Sequence, residues 1–282
     1  MEEFTATKQL LGTEVRVVIR AKENSGEAFD AAFKECERIE RAFSRFIEGN
    51  ELAVLNESCG QWLEVSVEML DLLKWGVEFG EKSLGTFNVA VSSVLNAWGY
   101  NKNYSFKESG KGEVGKVEIE GTRVRISAPV DLGGLGKGYA IDQMCKILRG
   151  FCEEFFINAG GDIWCEGEWK VFLEDPSDVS KAIGMVEVSG MALASSSGNK
   201  RSWGSKHHLV NVTDLVPASE MLAVYVQGST AIETDAYSTA LFVMGFEKAR
   251  GIVGDLPVEA MLVAPEGTIW RSEGFMGELF MG

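Results

Sequence analysis

Asp235 and Thr239 stand four residues apart in ETDAYSTALFVMG, a spacing that sets a carboxylate and a hydroxyl on one helical face about a turn apart. Both offer hard oxygen atoms, which Mg2+ accepts in a sparse shell completed by backbone carbonyls and phosphate oxygens. The same pair also suits a purely structural use, with Thr234 or Asp235 capping the helix and Thr239 facing the core. As a metal ligand, Asp235 is expected to face solvent and to add little to stability. A second stretch, VDLGGLGKGYAIDQM at 130–144, gathers glycines 133, 134, 136 and 138 around Lys137, directly after Asp131. Glycine lets the backbone approach a ligand closely, and a turn into a helix N-terminus presents free N–H groups to an anion. The spacing matches neither the G-x-G-x-x-G fingerprint nor a P-loop, which would need glycine at 131 and Ser or Thr at 138. Close strand-to-helix packing asks for glycine too, and spacing alone does not separate the two uses.

A third group lies further on, where His207 and His208 follow the serine run 195–197. If His208 begins a strand, its neighbour points to the opposite face, so at most one of the two serves a given site. An imidazole that titrates near neutrality can act as a base on a hydroxyl. The serines lack a G-x-S-x-G elbow, which argues against a hydrolase triad, and the whole stretch also reads as plain loop.

The surrounding sequence must position these groups. Residues 12–20 alternate apolar and polar as a half-buried strand does, whereas 26–46 and 65–83 repeat apolar positions at helical spacing. KVEIEGTRVRISAPVDLG reads as a hairpin turning at Glu120-Gly121, its second strand running into the glycine cluster. A helix is expected over 139–148, then a strand, a glycine turn and further strands over 154–175. The last third alternates strands at 221–228 and 258–265 with a helix over 234–245. Helices and strands mix without βαβ periodicity, so the expected fold class is α+β, with mixed or antiparallel sheets and packed helices. No repeat or linker interrupts the chain, which reads as one domain over 1–282.

Composition narrows the partners. The 282 residues are 45% hydrophobic, enough for a substantial core. With 27 basic and 42 acidic residues the net charge is −15, which repels phosphate backbones and anionic membranes, so nucleic acid is not expected. An anionic ligand would need local basic groups, backbone N–H groups or a cation. Five dispersed cysteines without C-x-x-C spacing suggest neither a disulfide framework nor a zinc site. No apolar run reaches about 18 residues, and the polar start MEEFTATKQL is unlike a signal, so a cytoplasmic protein without a membrane span is expected.

Taken together, LLGTEV, FSRFIEGNELAVLN, GTFNVAVSSVLNAWGY, VDLGGLGKGYAID, FFINAGGDI, ALASSSG, HHLVN and ETDAYSTALFVMG resemble, in order, the FAD:protein FMN transferases of the ApbE family. The resemblance implies a tunnelling-fold-related α+β architecture. It implies an enzyme that cleaves FAD with Mg2+, or Mn2+ in its place, and attaches FMN through its phosphate to a threonine or serine of a partner protein, releasing AMP. Carried over to this chain, it makes Asp235, Thr239 and the carbonyl of Gly134 metal ligands. It makes Leu11, Phe46, Thr86, Phe87, Asn88, Asp131, Lys137 and Val210 FAD contacts. His208, with Lys137, takes the catalytic place, helping to activate the acceptor hydroxyl or orient the pyrophosphate. Asn88 and Asn211 stand where the family pattern has aspartate, and Phe46 where tyrosine is frequent. Hydrolysis of FAD to FMN and AMP, or FAD binding without chemistry, are the alternative functions.

Overall fold

The computed structural model describes residues 1–23 and 26–280. Its centre is an eight-stranded sheet whose neighbours all pair antiparallel, in the order 2–10, 13–21, 154–159, 162–166, 191–197, 223–228, 259–263 and 269–271. Period-two alternation divides the side chains of these strands between two cores. Val15, Val17, Ile19, Phe155, Ile157, Val224 and Val226 face a helical layer. Ile163, Cys165, Leu193, Ala223, Tyr225 and Met261 face a three-stranded sheet ordered 278–279, 178–188, 169–175. This sheet-plus-helix arrangement is the α+β class expected from the sequence.

The helical layer contains α1 (Gly26–Phe43), α2 (Glu51–Glu57), α3 (Val67–Lys82), α4 (Ser92–Ala97), α5 (Gly136–Leu148), α6 (Ala231–Met244) and α7 (Phe246–Ile252). The expected hairpin forms between Val117–Glu120 and Arg123–Ile126, with Gly121 at φ 62° in the turn. Three boundaries differ from expectation. The first helix stops at Phe43, which frees Ser44, Arg45 and Phe46 to turn toward a cleft. Helix α5 begins at Gly136, so Lys137 and Gly138 lie in its first turn rather than in a loop. Helix α6 begins at Ala231: Thr230 is the cap and accepts the Glu233 N–H at 3.4 Å, while Asp142 of α5 accepts the N–H groups of Ala231 and Ile232 at 2.8 and 3.0 Å. Asp235 is therefore a second-turn residue, and neither it nor Thr234 is the cap.

Helix α6 is the pivot of the molecule. Within it only Glu233 and Thr239 are not buried. Such a helix belongs in the middle of a core, and it lies between α5 and the strands 191–197 and 223–228. Gly138 makes the crossing possible: a Cβ there would meet the Ala231 carbonyl oxygen at 2.2 Å.

Candidate functional site

The strand ends, the first turn of α5 and the open side of α6 enclose a cavity of about 370 Å3. Lys137 lies at its floor. Its ammonium is 2.8 Å from Asp162 Oδ2 and 2.9 Å from Asp235 Oδ1, and both carboxylates are almost wholly buried. Asp235 Oδ2 also accepts the backbone N–H of Gly138 at 3.0 Å. Asp162 Oδ2 has no aligned hydrogen-bond donor, so its contact with Lys137 is an ion pair held by proximity rather than a directed bond. Burial, and next the charge of Asp162, push the Asp235 carboxyl up despite Lys137. Burial alone would lower the Lys137 pKa, but the two aspartates outweigh it and hold the ammonium charged. The expectation that Asp235 faces solvent is thus corrected: it is 2% exposed and ion-paired.

Thr239 lines the cavity one turn beyond Asp235, and Gly134 lies close by, where an added Cβ would come within 3.5 Å of Thr239 Cγ2. Asp235, Thr239 and Gly134 thus line one space. Among the described residues no three His, Cys, Asp or Glu side chains cluster as a metal site, so any shell here would take other oxygens as well.

His208 lines the same cavity, and its Nδ1 is buried without a partner. Burial, reinforced by the charges of Arg201 and Lys137, holds its pKa well below the usual imidazole value, so the ring is neutral at physiological pH. His207 ends the short strand 206–207 and lines a different cavity, while His208 lies in the bend that follows rather than beginning a strand. His207 Nδ1 accepts the Leu209 N–H at 3.2 Å, which leaves Nε2 as the donor to the Ala218 carbonyl at 2.9 Å.

Phe46, Thr86, Phe87, Asn88, Asp131 and Val210 also line this cavity. Leu11 lies instead in an adjoining cavity of about 400 Å3, which shares Gly12, Phe46, Tyr100, Asp131, Gly133, Lys137 and Arg201 with the first. The two uncharged departures have local causes. Asn88 donates to the Gly115 carbonyl at 3.2 Å and accepts the Ala90 N–H at 2.7 Å, a pairing that an aspartate could not complete. Asn211 accepts the N–H groups of Thr213 and Asp214 at 2.9 and 3.2 Å and donates to the Asp214 carboxylate at 3.3 Å, a donation that an aspartate could not make.

Several lining residues escaped the sequence reading. Asp162 opens a strand after Gly160-Gly161 inside the FFINAGGDI stretch, whose resemblance was the one signal that could have pointed to it. Arg45 is almost buried, 2.8 Å from Asp131 and stacked 4.3 Å over the Phe46 ring, with Tyr100 and Tyr104 completing an aromatic wall. Arg201 and Lys200 come from a loop without periodicity.

Fold and site together define an α+β protein with a double cleft, edged by glycine and floored by paired carboxylates. Residues 11–262 match the ApbE family, and the chain belongs to that family. The FAD:protein FMN transferase of Treponema pallidum (strain Nichols) is 24% identical to it, covering 98% of this chain and 88% of the relative. That of Klebsiella pneumoniae (strain 342) is 24% identical, over 94% and 86%. Among solved structures, the ApbE protein of Thermotoga maritima superposes with a TM-score of 0.89 at 26% identity, covering 96% of this chain and 97% of that one. The flavin transferase ApbE of Vibrio cholerae shares the fold, with a TM-score of 0.82 at 18% identity over 97% and 98%.

Proposed function

We propose that this protein is a FAD:protein FMN transferase, one unit over 1–282 that moves the FMN half of FAD to a threonine or serine hydroxyl of a partner protein and releases AMP. The observation that carries the reading is the convergence of Phe46, 86–88, Asp131, Gly134, Lys137, His208, Val210, Asp235 and Thr239 on one cavity. These residues come from well-separated segments. Membership of the ApbE family and the relatives that bear the activity in their names support it.

The acceptor oxygen attacks the FMN-side phosphorus, the bond from that phosphorus to the bridging oxygen breaks, and AMP departs with that oxygen. The hydroxyl proton passes to the neutral His208 at Nδ1 and then to solvent, which balances the exchange of a phosphoanhydride bond for a phosphoester. Lys137 keeps Asp235 oriented by gripping both its oxygens, at 2.9 and 3.1 Å.

Two buried carboxylates against one ammonium leave surplus negative charge beside a hydroxyl and a carbonyl, a donor set that fits a hard divalent cation. Asp235, Thr239 and Gly134 would hold Mg2+ or Mn2+, which supplies polarisation of the phosphoryl oxygens and stabilises charge on departing AMP.

Mass spectrometry of a reaction of FAD, Mg2+ and threonine-bearing acceptor peptides tests this reading. The expected result is a peptide heavier by FMN less water, with one AMP per peptide modified. AMP without labelled peptide would replace transfer by hydrolysis, and intact FAD would leave a binding protein.

A further inference from the structure

The bridging phosphates of a dinucleotide carry charge that a protein of net charge −15 must meet locally. Four cationic side chains line the two adjoining cavities: Arg45, Lys137, Lys200 and Arg201. Two of them are already spent. Lys137 is held between Asp162 and Asp235, and Arg45 Nε lies 2.8 Å from Asp131. Lys200 donates to the Ser195 hydroxyl at 3.1 Å and does not reach the second cavity. Arg201 alone of the unspent pair lines both spaces, and among the described residues no carboxylate lies within ion-pair distance of it.

A backbone carbonyl tethers the guanidinium without neutralising it. One nitrogen donates to the Leu11 carbonyl at 3.2 Å and lies 3.7 Å from the position a Cβ on Gly12 would take, at the wall common to the cavities. Both partners hold left-handed backbone, Arg201 at φ 49° and Leu11 at φ 57°, a conformation that costs a non-glycine residue about 1 kcal/mol or more. A planar fork with donors left over, on the wall common to two ligand-sized spaces, is the group that receives a diphosphate through paired hydrogen bonds.

We propose that Arg201 is the diphosphate-binding residue of this cleft, holding the anionic bridge of a dinucleotide whose two halves occupy the two cavities. Lys137, by contrast, serves to set the carboxylates. The proposal rests on the flavin-transferase reading for the identity of the dinucleotide, but not for the anion chemistry.

Isothermal titration of wild type, Arg201→Gln and Arg201→Lys with FAD, ADP, riboflavin and adenosine tests it, with circular dichroism confirming that each variant is folded. Arg201→Gln is expected to weaken FAD and ADP by about tenfold or more, the worth of a charge-assisted bidentate contact. Riboflavin and adenosine should bind all three proteins alike, and Arg201→Lys should recover only part of the loss, because an ammonium lacks the planar fork. FAD and ADP binding unchanged in Arg201→Gln would overturn the proposal. So would an equal loss for riboflavin and adenosine, the mark of a merely structural role, or a wild type with no affinity for ADP. A wild type that binds ADP but neither FAD nor riboflavin would sink the flavin reading while the ADP comparison still decides the role of Arg201.

Discussion

Asp235 does two jobs that a surface carboxylate would keep apart, since it anchors Lys137 and faces the cavity from within the core. Removing it therefore has a structural consequence as well as a chemical one. Asp235→Ala should lower stability by roughly 3 kcal/mol, toward the low end for breaking a buried pair because Asp162 still accompanies the lysine. Asp235→Asn, of the same shape, should keep most of that stability yet lose metal-dependent turnover. Chemical denaturation beside the AMP-release assay separates the two effects. The histidines give a residue-scale prediction in pH. Burial holds the pKa of both below the ordinary imidazole value, His208 further than His207. Below about 6.5 the unfolded histidines then bind more protons than the folded ones, so their contribution to stability is fully present above that pH and falls as the solution is acidified. His208→Asn should flatten part of that decline between about pH 6.5 and 5, and it should slow transfer by about a hundredfold with FAD affinity retained. Denaturant melts at fixed pH and single-turnover kinetics read these two outcomes. A variant with the full acid sensitivity of wild type would place the titration elsewhere.

At the scale of elements, everything depends on how α5 crosses α6. Gly138 touches the Ala231 carbonyl so closely that a methyl group has no room, whereas Gly136, two residues earlier, has only the Leu132 side chain within 4.0 Å. Gly138→Ala should cost about 1–3 kcal/mol, because backbone rather than a movable side chain blocks the methyl, and should misplace Asp235 relative to Lys137. Gly136→Ala should be nearly neutral. Thermal melts and FAD affinity for the two variants compare a required glycine with an incidental one on the same helix. The contrast also shows what the sequence could carry. Alternation at 12–20, the helical spacing read over 26–46 and realised over 26–43, and the Glu120-Gly121 turn were legible because each depends on neighbours a few residues away. The start of α6 was not, because the Asp142 carboxylate that receives its first N–H groups is 89 residues away in sequence. The same reason hid Asp162 and Arg45. A buried counter-charge is defined by the partner it meets, and nothing near it in the chain announces the meeting. Lys137 was visible as a charge, but that its charge is consumed by two aspartates was not.

Across the whole molecule, the cleft is where distant parts of the chain are tied together. Its walls draw on Gly12 and Thr13, on Phe46, on the α5 turn, on the strand end at Ser195–Ser197 and on α6 as far as Val243. The large sheet joins the same regions, since strand 13–21 pairs with 154–159 and strand 191–197 with 223–228. A ligand held by all these walls stabilises the folded chain by mass action, by about 2.7 kcal/mol at a hundred times its dissociation constant. For a chain of this length that corresponds to a rise in melting temperature of about 5 °C. FAD should therefore raise the melting temperature of wild type by that amount, and the rise should shrink in Arg201→Gln as the affinity falls. Amide exchange gives the sharper reading. If the ligand bridges the walls, protection should increase together at 11–13, 131–138, 195–201 and 235–239, segments with nothing in common in sequence except that they meet at the cleft. Protection confined to one of these segments would mean that the ligand rests on a single wall, and the account of two cavities joined at Arg201 would fail with it.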